Sequence, residues 1–184
     1  MKKQHFIFVV FVIVLLFFLI SFFKGEPSAL PIDSVNQQVP FHNEGQTYDN
    51  PRQHFSFQYG SQYQVRELIN RDQGGLIEDE TVVVEARDLN KGDGLEVSIS
   101  PFPEENVLLT KERIQKDIPD MQIDDAEMMT LGGVDAFSFS SNNPDFGGAS
   151  KEVWLVHNNF LFQISAYASS TALFNNILTT WKFQ

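Results

Sequence analysis

Along the chain, apolar and polar positions fall into three regimes. Residues 6–23 (FIFVVFVIVLLFFLISFF) are apolar at 17 of 18 positions. Residues 24–50 show no apolar period. From residue 51 onward short alternating runs follow one another. Phe55, Phe57 and Tyr59 alternate with Ser56 and Gln58, which predicts a half-buried strand. Gly60-Ser61 turns the chain, and Tyr63 and Val65 alternate with Gln64 and Arg66 in a second strand, followed by a polar loop over 70–75. Val82, Val84 and Ala86, then Leu95, Val97 and Ile99, predict a hairpin of 81–88 with 95–100 around the turn-forming Asn90–Gly94.

Thr110 is placed to cap a helix, with Leu109 and Ile114 in staple positions, Ile118 on the same face and Pro119 ending it. Two further hairpins are predicted: 127–131 with 134–140 around Gly132-Gly133, and 152–157 with 160–168 around Asn158-Asn159. Last, Phe174, Leu178 and Trp181, with Leu173 and Ile177, form a helical stripe. Seven or eight strands joined by hairpin-length links pair antiparallel, because parallel pairs need long crossovers. The fold class expected is α+β, an antiparallel sheet flanked by two helices, preceded by one N-terminal transmembrane helix.

Eighteen helical residues span ~27 Å, close to a ~30 Å hydrocarbon core. At ~−0.4 kcal/mol per apolar residue, insertion is favoured by roughly 7 kcal/mol. Lys2 and Lys3 precede the block, so the positive-inside rule sets residues 1–5 as a cytoplasmic stub and 6–23 as an anchor in the lipid bilayer. Residues 24–50, with Pro27, Pro31 and Pro40, read as a flexible linker, and 51–184 as an extracytoplasmic globular domain. A cleaved signal peptide is the alternative. It has a shorter apolar core followed by a small-x-small site, whereas Pro27-Ser28-Ala29 puts Pro where a small residue belongs. The expectation is an uncleaved anchor.

Charge narrows the partners. The 184-residue chain carries −11, and because ten of the 13 Lys and Arg and all 24 Asp and Glu lie in 26–184, that part carries −14. This excludes a nucleic-acid binder, which needs a basic face, and a body lying flat on anionic lipid. With no cysteine, disulfides and thiolate chemistry are excluded.

The runs FSFQYGSQYQV, LTKERIQKDIPDM, LGGVDAFSF, EVWLVHNNFLFQISAY and FNNILTTWKF fall in an order that resembles the PsbP-like superfamily over about residues 50–184. Gly60 stands where the first turn of that family often carries Pro. The arrangement is also similar to short bacterial membrane-anchored proteins with one such domain. The resemblance implies an α/β/α sandwich around a central antiparallel sheet and a non-catalytic binding or assembly role, with a protein partner at the membrane surface. It transfers no site residue.

Catalytic, cofactor and metal residues are expected to be absent. His5, His42, His54 and His157 have no ligand spacing. Glu78-Asp79-Glu80, Glu104-Glu105 and Asp124-Asp125 border turns, where charge usually faces water. No Asp-x-Asp-x-Asp-Gly loop, Gly-x-Ser-x-Gly elbow or phosphate loop occurs, and Gly147-Gly148-Ala149-Ser150 reads as a hairpin tip. Two alternatives stay open. A surface-anchored hydrolase would use His157 with a nearby carboxylate. A tethered solute- or cation-binding protein would gather Asp72, Glu78, Asp79 and Glu80. A binding module would instead expose an apolar or aromatic patch, with Tyr63, Trp154 and Tyr167 as candidates and sheet core nearly as good an account of Trp154.

Overall fold

A computed structural model describes residues 45–88, 93–104 and 107–184. The apolar block 6–23 and residues 24–44 lie outside the described residues, as does most of the turn at 89–92. Among the described residues, no helix is long and apolar enough to cross a membrane.

The described residues form ten strands and two α-helices in the order β1 (Gln46–Asn50), β2 (Phe55–Tyr59), β3 (Tyr63–Arg71), β4 (Ile77–Ala86), β5 (Gly94–Pro101), α1 (Lys111–Asp117), β6 (Ile123–Leu131), β7 (Val134–Ser141), β8 (Ser150–His157), β9 (Phe160–Tyr167), α2 (Thr171–Thr180) and β10 (Lys182–Phe183). They build two antiparallel sheets. The larger has the order β3-β4-β5-β9-β8-β7-β6 and the smaller β1-β2-β10. The α+β class and the antiparallel pairing stand as expected.

Two expectations need correction. Residues 46–50 are not linker: Gln46–Asn50 is paired with β2 from end to end, so the folded body takes in the last five residues assigned to the tether. The strands on either side of Gly60-Ser61 also do not share a sheet. Phe55 and Phe57 alternate as a strand requires, but they pair with β1 and β10 and lie over the larger sheet as a second layer.

Packing explains the second layer. On the first face of the larger sheet, Val82, Val97, Ile164 and Val153 stand in one row across four strands, each fully buried. That row is too wide for one helix to cover. The small sheet contributes Tyr48, Phe55 and Phe57, and α2 contributes Leu173, Phe174 and Ile177. Trp181, just past the end of α2 in extended backbone, stacks on Phe55 at 4.5 Å and 5°. At 25 cal/mol per Å², burying each such aromatic ring stabilises the fold by a few kcal/mol.

The local signals that start and stop elements act as read. Thr110 has extended backbone and its hydroxyl accepts the Arg113 N–H at 3.2 Å, and α1 ends before Pro119. Asn158 and Asn159 have φ of 49° and 63°, as a type I′ hairpin turn needs.

Candidate functional site

The second face of the larger sheet is divided. Over β6–β9, α1 and its flanks seal a small apolar cluster made by Leu109, Ile114, Ile123, Phe137, Phe139 and Trp154. No residue of β3, β4 or β5 belongs to that cluster. The β3–β5 half therefore presents exposed and half-buried side chains, Arg66, Leu68, Thr81, Ser98 and Ser100 among them. Antiparallel sheets often leave one face wet, so exposure alone names no function. The composition of this half is mixed, however, with Leu68 42% exposed beside hydroxyls and one ion pair. In that pair Arg66 reaches Glu85 through Nε at 2.8 Å and Nη2 at 3.1 Å, and it holds the Glu85 carboxyl below its ordinary range.

A buried carboxylate lies at the boundary between the two halves. Glu152 on β8 is fully buried. Its Oε1 accepts from Ser150 Oγ at 2.5 Å and from Ser141 Oγ at 3.2 Å. Its Oε2 accepts from Trp154 Nε1 at 3.2 Å and from Ser165 Oγ. No cation is among these partners. Burying a carboxylate costs several kcal/mol unless it is hydrogen-bonded, and four donors supply that here. Register places Ser165 opposite both Glu152 and Glu96, so the two glutamates flank it in one row. Burial raises the Glu96 carboxyl above its ordinary range, and the charges of Asp145 and Glu152 push the same way.

A second polar network ties the small sheet to the large one. Glu80 on β4 is fully buried on the first face and accepts from Asn50 Nδ2 at 2.5 Å, Arg52 Nη2 at 2.7 Å and Arg52 Nε at 3.2 Å. Arg52 also pairs with Glu67, whose other oxygen accepts from Tyr48 Oη at 2.8 Å. Burial alone would raise the Glu67 carboxyl, but Arg52 and Tyr48 outweigh it and hold it low. The Tyr48 hydroxyl is pushed well up by burial and by Glu67.

These positions decide the fate of the sequence candidates. Asp72, Glu78, Asp79 and Glu80 do not converge. Glu80 is taken by Arg52 and Asn50, and Asp72 accepts the Leu76 N–H within the β3–β4 turn at 2.7 Å. No group of three potential metal ligands occurs among the described residues. His157 ends β8 with its ring on Phe183 at 4.2 Å and its Nε2 on Asn158 Nδ2 at 3.1 Å. Neither partner is a carboxylate, and burial lowers the imidazole below its ordinary value. Among the aromatic candidates, Tyr63 and Trp154 are buried. Burial and a hydrogen bond to Asp93 push the Tyr63 hydroxyl up to about 12. Tyr167 packs against Phe146 at 5.0 Å. Among the described residues, the exposed large apolar ones are Leu68, Leu76, Leu108 and Met128, none aromatic. A shallow groove of about 220 Å³ between the small sheet and the end of α2 is lined by Thr47, Ser56, Gln58, Thr179, Thr180 and Lys182 among others. It offers one cation and no acid–base pair.

Sequence reasoning missed Asn50, Arg52, Glu67, Glu96 and Glu152. Glu152 had a signal: a charge inside EVWLV, a run apolar enough to be buried on both faces. The others had none, because their surroundings come from residues far apart in sequence: Asn50 is buried where the two sheets meet, Arg52 and Glu67 stay exposed around Glu80, and Glu96 is half-buried on the second face.

No family model matches the chain. No curated protein matches it either. Among solved structures, the chain is similar to the cyanobacterial PsbP (CyanoP) from Synechocystis sp. PCC 6803, determined in solution, at 15% identity. The match covers 87% of this chain and 98% of that one with a TM-score of 0.50. The fold is PsbP-like. In this PsbP-like body the two-layered first face is the core, and among the described residues no apolar cluster covers the β3–β5 half of the second face.

Proposed function

We propose that this protein is a single-pass, membrane-anchored module whose PsbP-like body lies on the extracytoplasmic side and binds a protein partner without catalysis of its own. The open β3–β5 half of the second face carries the reading. It is a sheet face, rigid because four strands of the sheet continue beneath the α1 cap, and mixed in chemistry, with Leu68, Thr81, Ser98 and the Arg66–Glu85 pair side by side. Such a surface suits a protein partner better than a small ligand, which takes a concave pocket. The apolar block with Lys2 and Lys3 before it supports the anchor and its orientation, and the acidic body argues against nucleic acid.

The chain has no cysteine, so single cysteines report cleanly. In intact cells, a membrane-impermeant maleimide is expected to label Gln58→Cys; labelling only after lysis would overturn the orientation. A photo-crosslinker at Leu68 or Thr81 in the full-length protein is expected to trap one defined protein, and the same group at Gln58 to trap none. Ser98→Arg should abolish the adduct with the melting temperature unchanged. Adducts that survive Ser98→Arg would remove this face as the docking surface.

A further inference from the structure

The larger sheet ends in β3 on one side and β6 on the other, and the two edges differ. An edge strand carries unpaired N–H and C=O groups that can template another strand. β6 is blunted. Its register slips between Asp124 and Glu127, Asp125 stands there with φ 52°, and all three acidic side chains are exposed. Bulges and charges of this kind close an edge. β3 keeps one register with β4 from Tyr63 to Asn70, and the slip beyond it skips Glu78 on β4. Among the described residues, no strand pairs with the outer side of β3.

Two hydrogen bonds fix which residues face outward. The Arg87 N–H donates to Gln62 O at 2.9 Å, one step beyond the β3–β4 ladder, and the Ala86 N–H donates to Asp93 O at 3.1 Å, one step beyond the β4–β5 ladder. Antiparallel partners exchange bonds at every second pair. Gln64, Arg66 and Leu68 therefore turn their backbone groups toward β4, and Val65, Glu67 and Ile69 turn theirs outward.

We propose that the free edge of β3 pairs antiparallel with β3 of a second copy of this chain, about a twofold axis through Leu68. To use the outward groups, a twofold pairing sets odd residues against odd residues, so its centre falls on a residue. A centre at Arg66 or Glu67 opposes that charge to its own copy, which destabilises a ladder. A centre at Val65 or Ile69 overlaps only 63–67 or 67–71 of the strand, whereas a centre at Leu68 overlaps 65–71. It sets Leu68 against Leu68, Glu67 against Ile69, Arg66 against Asn70 and Val65 against Arg71, with no like charges opposed. It also covers Leu68, which is 42% exposed in the single chain. β3 itself carries Arg66, Glu67 and Arg71, so the acidic excess of the body belongs to other elements. The axis stands perpendicular to the sheet, so the two open faces point the same way and stay uncovered. The dimer does not depend on the docking proposed for that face.

The test is disulfide trapping of the full-length protein in detergent micelles with a mild oxidant, read by mass on a non-reducing gel. In this register Leu68 falls at a non-hydrogen-bonded pair, where Cα atoms lie ~4.5 Å apart and a disulfide closes without strain. Leu68→Cys should give about tenfold more dimer than Met128→Cys, an exposed site on the β6 edge. An equimolar mixture of Arg66→Cys and Asn70→Cys should give the mixed dimer in excess of either self-dimer. Equal yields from Leu68→Cys and Met128→Cys would overturn the pairing, as would Arg66→Cys linking to itself in preference to Asn70→Cys. A Leu68→Cys adduct with a protein of another mass, formed in place of the dimer, would overturn the dimer and leave the docking face standing.

Discussion

Asn50 closes the first strand of the small sheet and donates its side-chain amide, at 2.5 Å, to the fully buried carboxylate of Glu80 on the large sheet. The same amide nitrogen reaches Tyr48 Oη at 3.0 Å, and the amide oxygen accepts the N–H groups of Arg52 and Gln53, each at 3.0 Å. One side chain thus shapes the β1–β2 turn and joins two layers. Asn50→Ala should cost about 2–3 kcal/mol, because buried partners lose their bonds rather than exchange them for water. Arg52→Ala should cost about 3 kcal/mol by leaving Glu80 buried and without its cation. Urea unfolding of both variants checks this, and a loss below ~0.5 kcal/mol in each would show the network to be dispensable.

Glu152 depends on its donors in the same way. Glu152→Ala leaves three serine hydroxyls and the Trp154 indole N–H without their acceptor, and should cost about 3–5 kcal/mol. Glu152→Gln should be milder, since hydroxyls can reverse and accept from an amide. The indole N–H resonance of Trp154 should shift in both variants; an unmoved resonance would mean that the Trp154–Glu152 bond does not form in solution.

Two groups should tilt stability against pH in opposite directions. The His157 imidazole is lowered by burial, so the unfolded chain binds the proton more readily. Its contribution is lost as pH falls through about 6.5, the ordinary histidine value. The Glu96 carboxyl is raised, so its contribution is present at low pH and lost as pH rises above the ordinary carboxylate range. His157→Phe should flatten the first slope and Glu96→Gln the second, read from denaturation midpoints across pH 4–8. Swapped slopes would reverse both assignments.

The β6–β7 turn separates strain from contact. Gly132 has φ 58°, and a Cβ there would come within 2.9 Å of Phe183 and 3.0 Å of Trp181. Gly133 has φ 88° with open space around it. Gly133→Ala should cost about 1 kcal/mol from backbone strain alone. Gly132→Ala should cost clearly more, because the aromatic stack must also move. Equal melting temperatures for the two variants would mean that Phe183 yields freely.

Much of this was legible along the chain, because it depends on neighbours in sequence. Strand alternation, the Thr110 cap, the Asn158-Asn159 turn and the Leu173–Trp181 stripe are each set within a few residues. Three features were misjudged or unseen, and each is non-local. Gln46–Asn50 has weak apolar alternation and becomes a strand by pairing with β2. Trp154 and Tyr63 carry aromatic surface that could serve a partner, and the layers bury it. Glu78 and Glu80 sit in one acidic run, yet only Glu80 is turned under the small sheet to meet Arg52.

Taken by itself, the order of residues placed most of the strands and both helices, and determined that the strands pair antiparallel and that the body is acidic. Those properties follow from backbone preferences and periodicity that act over one or two turns of chain. Tertiary structure alone decided that Phe55 and Phe57 belong to a second sheet, that half of one face stays open, and that Glu80 and Glu152 are removed from water. A charge's surroundings depend on which layers close over it, and residues far apart in sequence do the closing.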